Sequence, residues 1–300
     1  QALPNAADTA ISFPVTQPAV GEFEVTATTA SGVTLDASPT LEANTSYYIR
    51  VIDGEAGGLW ATILGAAGSD LTLEGAKGTS VAGLIEAGDT VRVYPHLTVG
   101  DVFPPAKKAI THAEGSTLLL FDNALDVAPQ APASRGLVQF RENRTGDVVW
   151  SGLQGEDTIL EPDTPVLYRN ETGADLTLIV RGVKPDYVVS YLVPGGPAND
   201  TAVASGYPVD SVVFRTGFDG TEGRQVQLYD NTLEVLNLAA GSGGLVTWQV
   251  PRGGTTAEWE GVGLAADEPL EAGTGHILFQ PAGDGQAVVR TVPVYSVTTD

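Results

Sequence analysis

The sequence predicts an all-β protein: three consecutive sandwich- or barrel-like units, the second and third an internal duplication. Three observations carry this. Apolar residues alternate with polar ones at period two along almost every patterned segment. Turn-forming Gly, Pro, Asn and Asp fall between those segments. A block of the chain recurs at a fixed offset.

The strands follow in order. Ile11-Ser-Phe-Pro-Val15 opens the series, and Glu22-Phe-Glu-Val-Thr-Ala27 puts Phe23 and Val25 on one face. Tyr47 to Ile52, Asp70 to Glu74, Thr90 to Tyr94 and Asp175 to Val180 continue it. β-Branched and aromatic residues dominate these runs, which suits a pleated, half-buried surface. Asp53-Gly54, Gly68-Ser69, Thr172-Gly173, Gly195-Gly196-Pro197 and Gly253-Gly254 punctuate them. Helical signal is thin. Thr98 to Phe103 reads as one short turn, with Val99, Val102 and Phe103 on one face and Pro104-Pro105 as its stop. Asn231 to Leu238 is a second, weaker candidate.

Leu118-Leu-Leu-Phe-Asp-Asn-Ala-Leu-Asp-Val127 matches Val226-Gln-Leu-Tyr-Asp-Asn-Thr-Leu-Glu-Val235 at an offset of 108 residues. Gly136-Leu-Val-Gln-Phe140 matches Gly244-Leu-Val-Thr-Trp248 at the same offset, and Trp150-Ser-Gly matches Trp259-Glu-Gly at 109. Ile159-Leu-Glu-Pro leads to Val166-Leu-Tyr168 as Pro269-Leu-Glu-Ala leads to Ile277-Leu-Phe279. The N-terminal third echoes part of this. Leu84 to Tyr94 resembles Leu270 to Phe279, and Asp8-Thr9 before Pro14 resembles Asp200-Thr201 before Pro208. The expected domains are therefore 1–105, 106–199 and 200–300, with soft boundaries at Pro104-Pro105 and Gly195-Gly196-Pro197.

Composition limits the function classes. The net charge is −22, from 15 basic and 37 acidic residues. Such a field repels nucleic acid and anionic membranes and favours solubility. No apolar run reaches the length of a membrane span. There is no Cys and no Met. Gln1 fits the residue left after signal-peptide cleavage, so a secreted or cell-surface, extracellular protein is expected. Asn44, Asn143, Asn170 and Asn199 lie in Asn-x-Ser/Thr sequons and are candidate glycosylation sites.

Motifs carry little chemistry. Asp122-Asn123 and Asp230-Asn231 recur at equivalent places, and read first as turns and second as a sugar- or calcium-binding pair. Asp53-Gly54-Glu55 and Asp219-Gly220-Thr221-Glu222 read as hairpin turns, since calcium-loop spacing is absent. Trp60, Trp150, Trp248 and Trp259 read as core before they read as a sugar-stacking platform. His96, His112 and His276 lack metal-ligand spacing, and no nucleophile elbow or phosphate loop is present. No catalytic, cofactor or metal site is assigned, and the chain is not read as an enzyme.

Asp8-Thr-Ala-Ile-Ser-Phe-Pro-Val-Thr-Gln-Pro18, Gly58-Leu-Trp-Ala-Thr62, the Leu-Leu-Phe-Asp-Asn block and the Leu-Glu-Pro/Ala-Gly block resemble an uncharacterised family. It comprises secreted β-rich proteins found as paralogues in verrucomicrobial-type bacteria. The resemblance covers nearly the whole chain in the same order. It implies export and supplies no catalytic residues.

The functional expectation is an extracellular structural protein that assembles with itself into a filament, sheath or layer. Its assembly strand is placed at residues 8–16, with Ile11, Phe13 and Val15 as the pairing face. The alternative is a non-catalytic module binding an extracellular polysaccharide through exposed Trp or Tyr and the Asp-Asn turns.

Overall fold

The computed structural model describes residues 1–75, 83–105, 114–123, 134–193, 197–204, 206–212, 221–233, 241–261, 269–283 and 287–291. It is nearly all β, with several sheets and one closed barrel.

The barrel is built from β3 (Gly21–Thr29), β4 (Gly32–Leu35), β5 (Tyr47–Val51), β6 (Trp60–Ala67), β7 (Asp70–Gly75) and β8 (Thr90–Pro95). They close in the order β3-β4-β7-β6-β5-β8, all antiparallel. Alternation decides what goes inside: Val25, Val33, Ile49, Val51, Leu71, Leu73, Val91 and Val93 fill the interior. Bulges after Val25 in β3 and Ile63 in β6 supply the bends that closure needs. β5 is buried at all five positions, because its outward residues Tyr48 and Arg50 meet the rest of the chain.

Among the described residues, ten further strands form two five-stranded sheets. In the first, the order is β12 (Val148–Ser151), β11 (Ser134–Glu142), β10 (Thr117–Phe121), β14 (Val166–Arg169) and β2 (Asp8–Ile11). In the second it is β21 (Glu258–Gly261), β20 (Ser242–Gln249), β19 (Gln225–Tyr229), β23 (Gly275–Gln280) and β17 (Asn199–Ala204). The strand orders are the same, and so are the registers. Leu118 faces Val138 as Val226 faces Val246, and a bulge follows Leu120 as one follows Leu228. Phe140 faces Trp150 as Trp248 faces Trp259.

Short pairs accompany each sheet. β1 (Ala2–Leu3) pairs with β15 (Leu176–Thr177), and β9 (Leu97–Thr98) with β13 (Ile159–Leu160). In the second module β16 (Ser190–Val193) pairs with β24 (Ala287–Arg290), and β18 (Ser211–Val212) with β22 (Pro269–Leu270). The pairings β2 with β14 and β9 with β13 cross the boundary drawn at residue 105, and β16 with β24 crosses the one drawn at 199. The first sheet takes its edge strand from before the barrel, so the barrel interrupts that module. The echo of Asp8-Thr9 in Asp200-Thr201 marks this: β2 pairs Asp8 with Arg169 where β17 pairs Asp200 with Phe279. The likeness of Leu84–Tyr94 to Leu270–Phe279 has no such counterpart, since the former belongs to the barrel.

Thr98 to Phe103 contains the expected turn of helix, α1 (Val99–Val102). Thr98 and Asp101 form a reciprocal capping box, and Val99 and Val102 are buried. Of the Asn231–Leu238 candidate, only 231–233 lie within the described residues, and they form a turn.

Candidate functional site

The proposed assembly strand is shorter than its alternation implied. Only Ile11 of the three named residues lies in β2, buried in the core of the first module opposite Val166. Pro14 has no N–H to give a ladder, and the strand ends before it. Phe13 instead packs edge-to-face on Phe103 at 6.0 Å. Val15 sits beside Gly182, next to the isolated bridge between Thr16 and Val183.

β2 is an edge strand whose outer side is not open. Ala10 N donates to Asn231 Oδ1 (2.9 Å), and Asn231 Nδ2 donates to Ala10 O (2.9 Å). Ser12 N donates to Gly273 O (2.7 Å). The other module repeats each contact. Ala202 N donates to Asn123 Oδ1 (2.8 Å), Asn123 Nδ2 donates to Ala202 O (2.9 Å), and Ala204 N donates to Asp163 O (2.9 Å). Each sheet edge is sealed by an amide from the other sheet, in an approximate two-fold relation. Around these bonds Ala10, Ala202, Phe121 and Leu167 form a small apolar cluster, with Leu119 and Tyr229 against it. The recurrent Asp-Asn pairs therefore divide the work. Asp230 makes the turn, accepting from Thr232 N and Oγ1, while the Asn residues join the modules. The recurrence was visible in the sequence, but the partner strands were not.

A second junction holds the barrel. The Arg50 guanidinium donates to Asp163 Oδ2 (2.5 Å) and to Gly58 O (2.7 Å), and lies over the Tyr187 ring at 4.9 Å. Burial disfavours the charge on Arg50, but the Asp163 carboxylate more than offsets this, so the group is held firmly protonated. Tyr187 and Tyr48 are both pushed above the usual phenol range by burial, and stay neutral beside it. Sequence reasoning passed over Arg50. Its signal was a lone charge within the apolar run Tyr47 to Ile52.

Between the barrel and the first module lies an open cleft of about 780 Å³. Glu42, Asn44 and Thr45 line it from the barrel side, and Thr98, Asp101 and Gln154 from the other. Gln17 Nε2 donates to His96 O and to Asp101 Oδ2, both at 3.3 Å.

The other sequence candidates are dispersed. Trp60, Trp150 and Trp259 are buried, Trp150 donating to Phe103 O (2.7 Å), which is the core placement expected of them rather than a stacking platform. Trp248 is half-buried against Trp259. His96 is held down to about 3 by burial and by Arg135, and His276 to about 4 by burial. His112 and Asp219 fall outside the described residues. Asp53 lies in the connection between β5 and β6 and accepts from Thr90 N and Oγ1 at the start of β8. Among the described residues no group of three or more His, Asp or Glu is placed to hold a metal, and no helix is long and apolar enough to cross a membrane. Asn44 and Asn143 are exposed. Asn170 and Asn199, in contrast, are fully buried: Asn170 Nδ2 donates to Leu3 O and Ala174 O, and Asn199 Nδ2 to Pro197 O.

No protein-family model matches the chain, and neither a curated protein nor a solved structure matches it.

Proposed function

We propose that the chain is a secreted structural protein of the cell exterior that assembles with itself, without catalytic activity, and that its two five-stranded modules are copies of one ancestral unit. The observation that carries this is the reciprocal edge contact. β2 meets the second module as β17 meets the first, through Asn231–Ala10 and Asn123–Ala202. Each module thus presents an edge that fits a near-copy of itself, the property on which isologous subunit contacts rest. Export and kinship with the verrucomicrobial-type family belong to the same proposal.

Exchange of residues 8–11 is the route proposed. In exchange, β2 of one copy takes the place beside β14 of another and keeps the bonds it makes at home, including the Arg169–Asp8 pair at 2.8 Å. Residues 1–7 travel with β2, keeping β1 beside β15 of the same recipient copy, and the connection 12–20 changes course. The chain has no cysteine of its own, so Ala10→Cys with Leu167→Cys reports the exchange directly. Polymers seen by electron microscopy and light scattering, and yielding a disulfide-linked ladder on a non-reducing gel, support the reading. A monodisperse monomer with an internal disulfide only, across salt and calcium, sinks it.

A second reading, recognition of an extracellular polysaccharide, is favoured by the polar cleft between barrel and first module.

A further inference from the structure

We infer that this cleft is a binding site for an uncharged, hydroxyl-rich oligosaccharide, created by the insertion of the barrel into the first module. The inference rests on the polysaccharide reading and is independent of self-assembly.

The asymmetry between the modules locates it. Their sheets share strand order and register, and both carry the short pair that follows the edge strand: β9 with β13 in one, β18 with β22 in the other. They differ in what lies between edge strand and short pair. In the second module Ala204 and Ser211 are joined by six residues; in the first the barrel intervenes. The cleft is walled by barrel residues on one side and by α1 and the turn before β13 on the other, so it needs the insertion to exist. Junctions between modules are where small-molecule sites commonly form, and about 780 Å³ is within the usual range of about 300–1,000 Å³.

The lining selects the ligand. Thr45, Thr98, Asn44, Gln154, Glu42 and Asp157 offer hydroxyls, amides and carboxylates. These suit vicinal hydroxyls, each of which donates to a carboxylate and accepts from an amide. Among the described residues neither Lys nor Arg lines the cleft, so a uronate or sulfate ester meets the carboxylates of Glu42, Asp101 and Asp157 there without a lining cation, within a chain of net −22. Tyr47 adds a buried donor. Its oxygen accepts from Glu42 N (3.0 Å), and its own hydrogen has no acceptor among the described residues. The walls are braced by the Thr98–Asp101 capping box and by Gln17, whose bonds to His96 O and Asp101 tie the linker to both walls.

The test is a glycan array on the full chain carrying cello-, laminari- and manno-oligosaccharides beside oligogalacturonate and heparin. Calorimetric titration of the best hit against wild type and the Glu42→Ala/Gln154→Ala variant follows. Both substituted side chains are exposed, so the variant keeps its melting temperature. Binding of a neutral oligosaccharide, weakened at least tenfold in the variant, is the expected result. Neutral binding that the variant does not weaken overturns the cleft but spares the polysaccharide reading. Preference for the anionic glycans also overturns it, and an empty array overturns both.

Discussion

Asp163 and Gly273 hold the same turn position in the two modules, yet only Asp163 carries a side chain to reach the barrel. Both adopt left-handed backbone, with φ of 57° and 81°, and both carbonyls accept from the opposite edge strand. Glycine is the relaxed choice there; a residue with a Cβ is strained by roughly 1–2 kcal/mol. The first module accepts that strain where Arg50 needs a counter-charge. Asp163→Gly is therefore expected to cost about 3 kcal/mol, because it strands a buried guanidinium. In an Arg50→Met background the same change should be neutral or mildly stabilising. Urea denaturation of the four variants measures the coupling. Equal effects of Asp163→Gly in both backgrounds would show that the pair does not act as a unit.

The edge amides make a paired prediction. Asn231→Ala and Asn123→Ala each leave an N–H and a C=O of an edge strand without a partner, at Ala10 and Ala202 respectively. Each should cost roughly 1–3 kcal/mol. Asp in place of either should do no better than Ala, because a carboxylate cannot donate to the strand carbonyl. Matching losses in chemical denaturation support equivalent roles, whereas a loss at one site only breaks the two-fold relation.

Acid sensitivity follows from the buried histidines. His276 is held near 4 and His96 near 3, against about 6.5 when unfolded. Because the folded values are depressed, their contribution is complete above about pH 6.5 and is lost as pH falls toward 4 and below. Each group should remove about 1.4 kcal/mol per pH unit across that window, so His276 alone accounts for roughly 3 kcal/mol. The slope of unfolding free energy between pH 6 and 4.5 should drop in His276→Leu by about one proton's worth. An unchanged slope refutes the assignment.

Tryptophan fluorescence separates core from platform. With Trp60, Trp150 and Trp259 buried, emission should be blue-shifted and resist acrylamide quenching. Neutral oligosaccharides that bind in the cleft should leave it unchanged. Strong quenching by a bound glycan would restore the aromatic platform.

What local pattern can encode was legible. The period of two placed β3, β5, β7 and β8 within a residue or two, since each strand has one face inside the barrel. The fixed offset anticipated the common register of β10–β11 and β19–β20. Long-range placement was not legible. Asp175 to Val180 alternates well, yet its ladder reduces to Leu176–Thr177, because β1 offers only Ala2 and Leu3 to pair. Nothing near Asp8 says that its partner strand lies beyond the barrel. The Asp-Thr-Ala sequences at Asp8 and Asp200 carried that information, but only as a match between distant segments. Of the candidate sites, the Asn residues were visible as recurrences, and Arg50 as a charge that an apolar strand could hold only with a partner. Neither the identity of that partner nor the cleft has a signature in sequence.

The barrel begins at Gly21, paired with Val93, and ends at Pro95 on the neighbouring strand. A passenger whose two ends lie side by side can be lifted out or exchanged without pulling its carrier apart. In the second module only six residues of sequence separate Ala204 from Ser211, so the corresponding place carries no domain and is, in that sense, an empty berth. A different domain with adjacent ends, seated there, would ride opposite the first across the approximate two-fold, making the chain a carrier with two interchangeable heads.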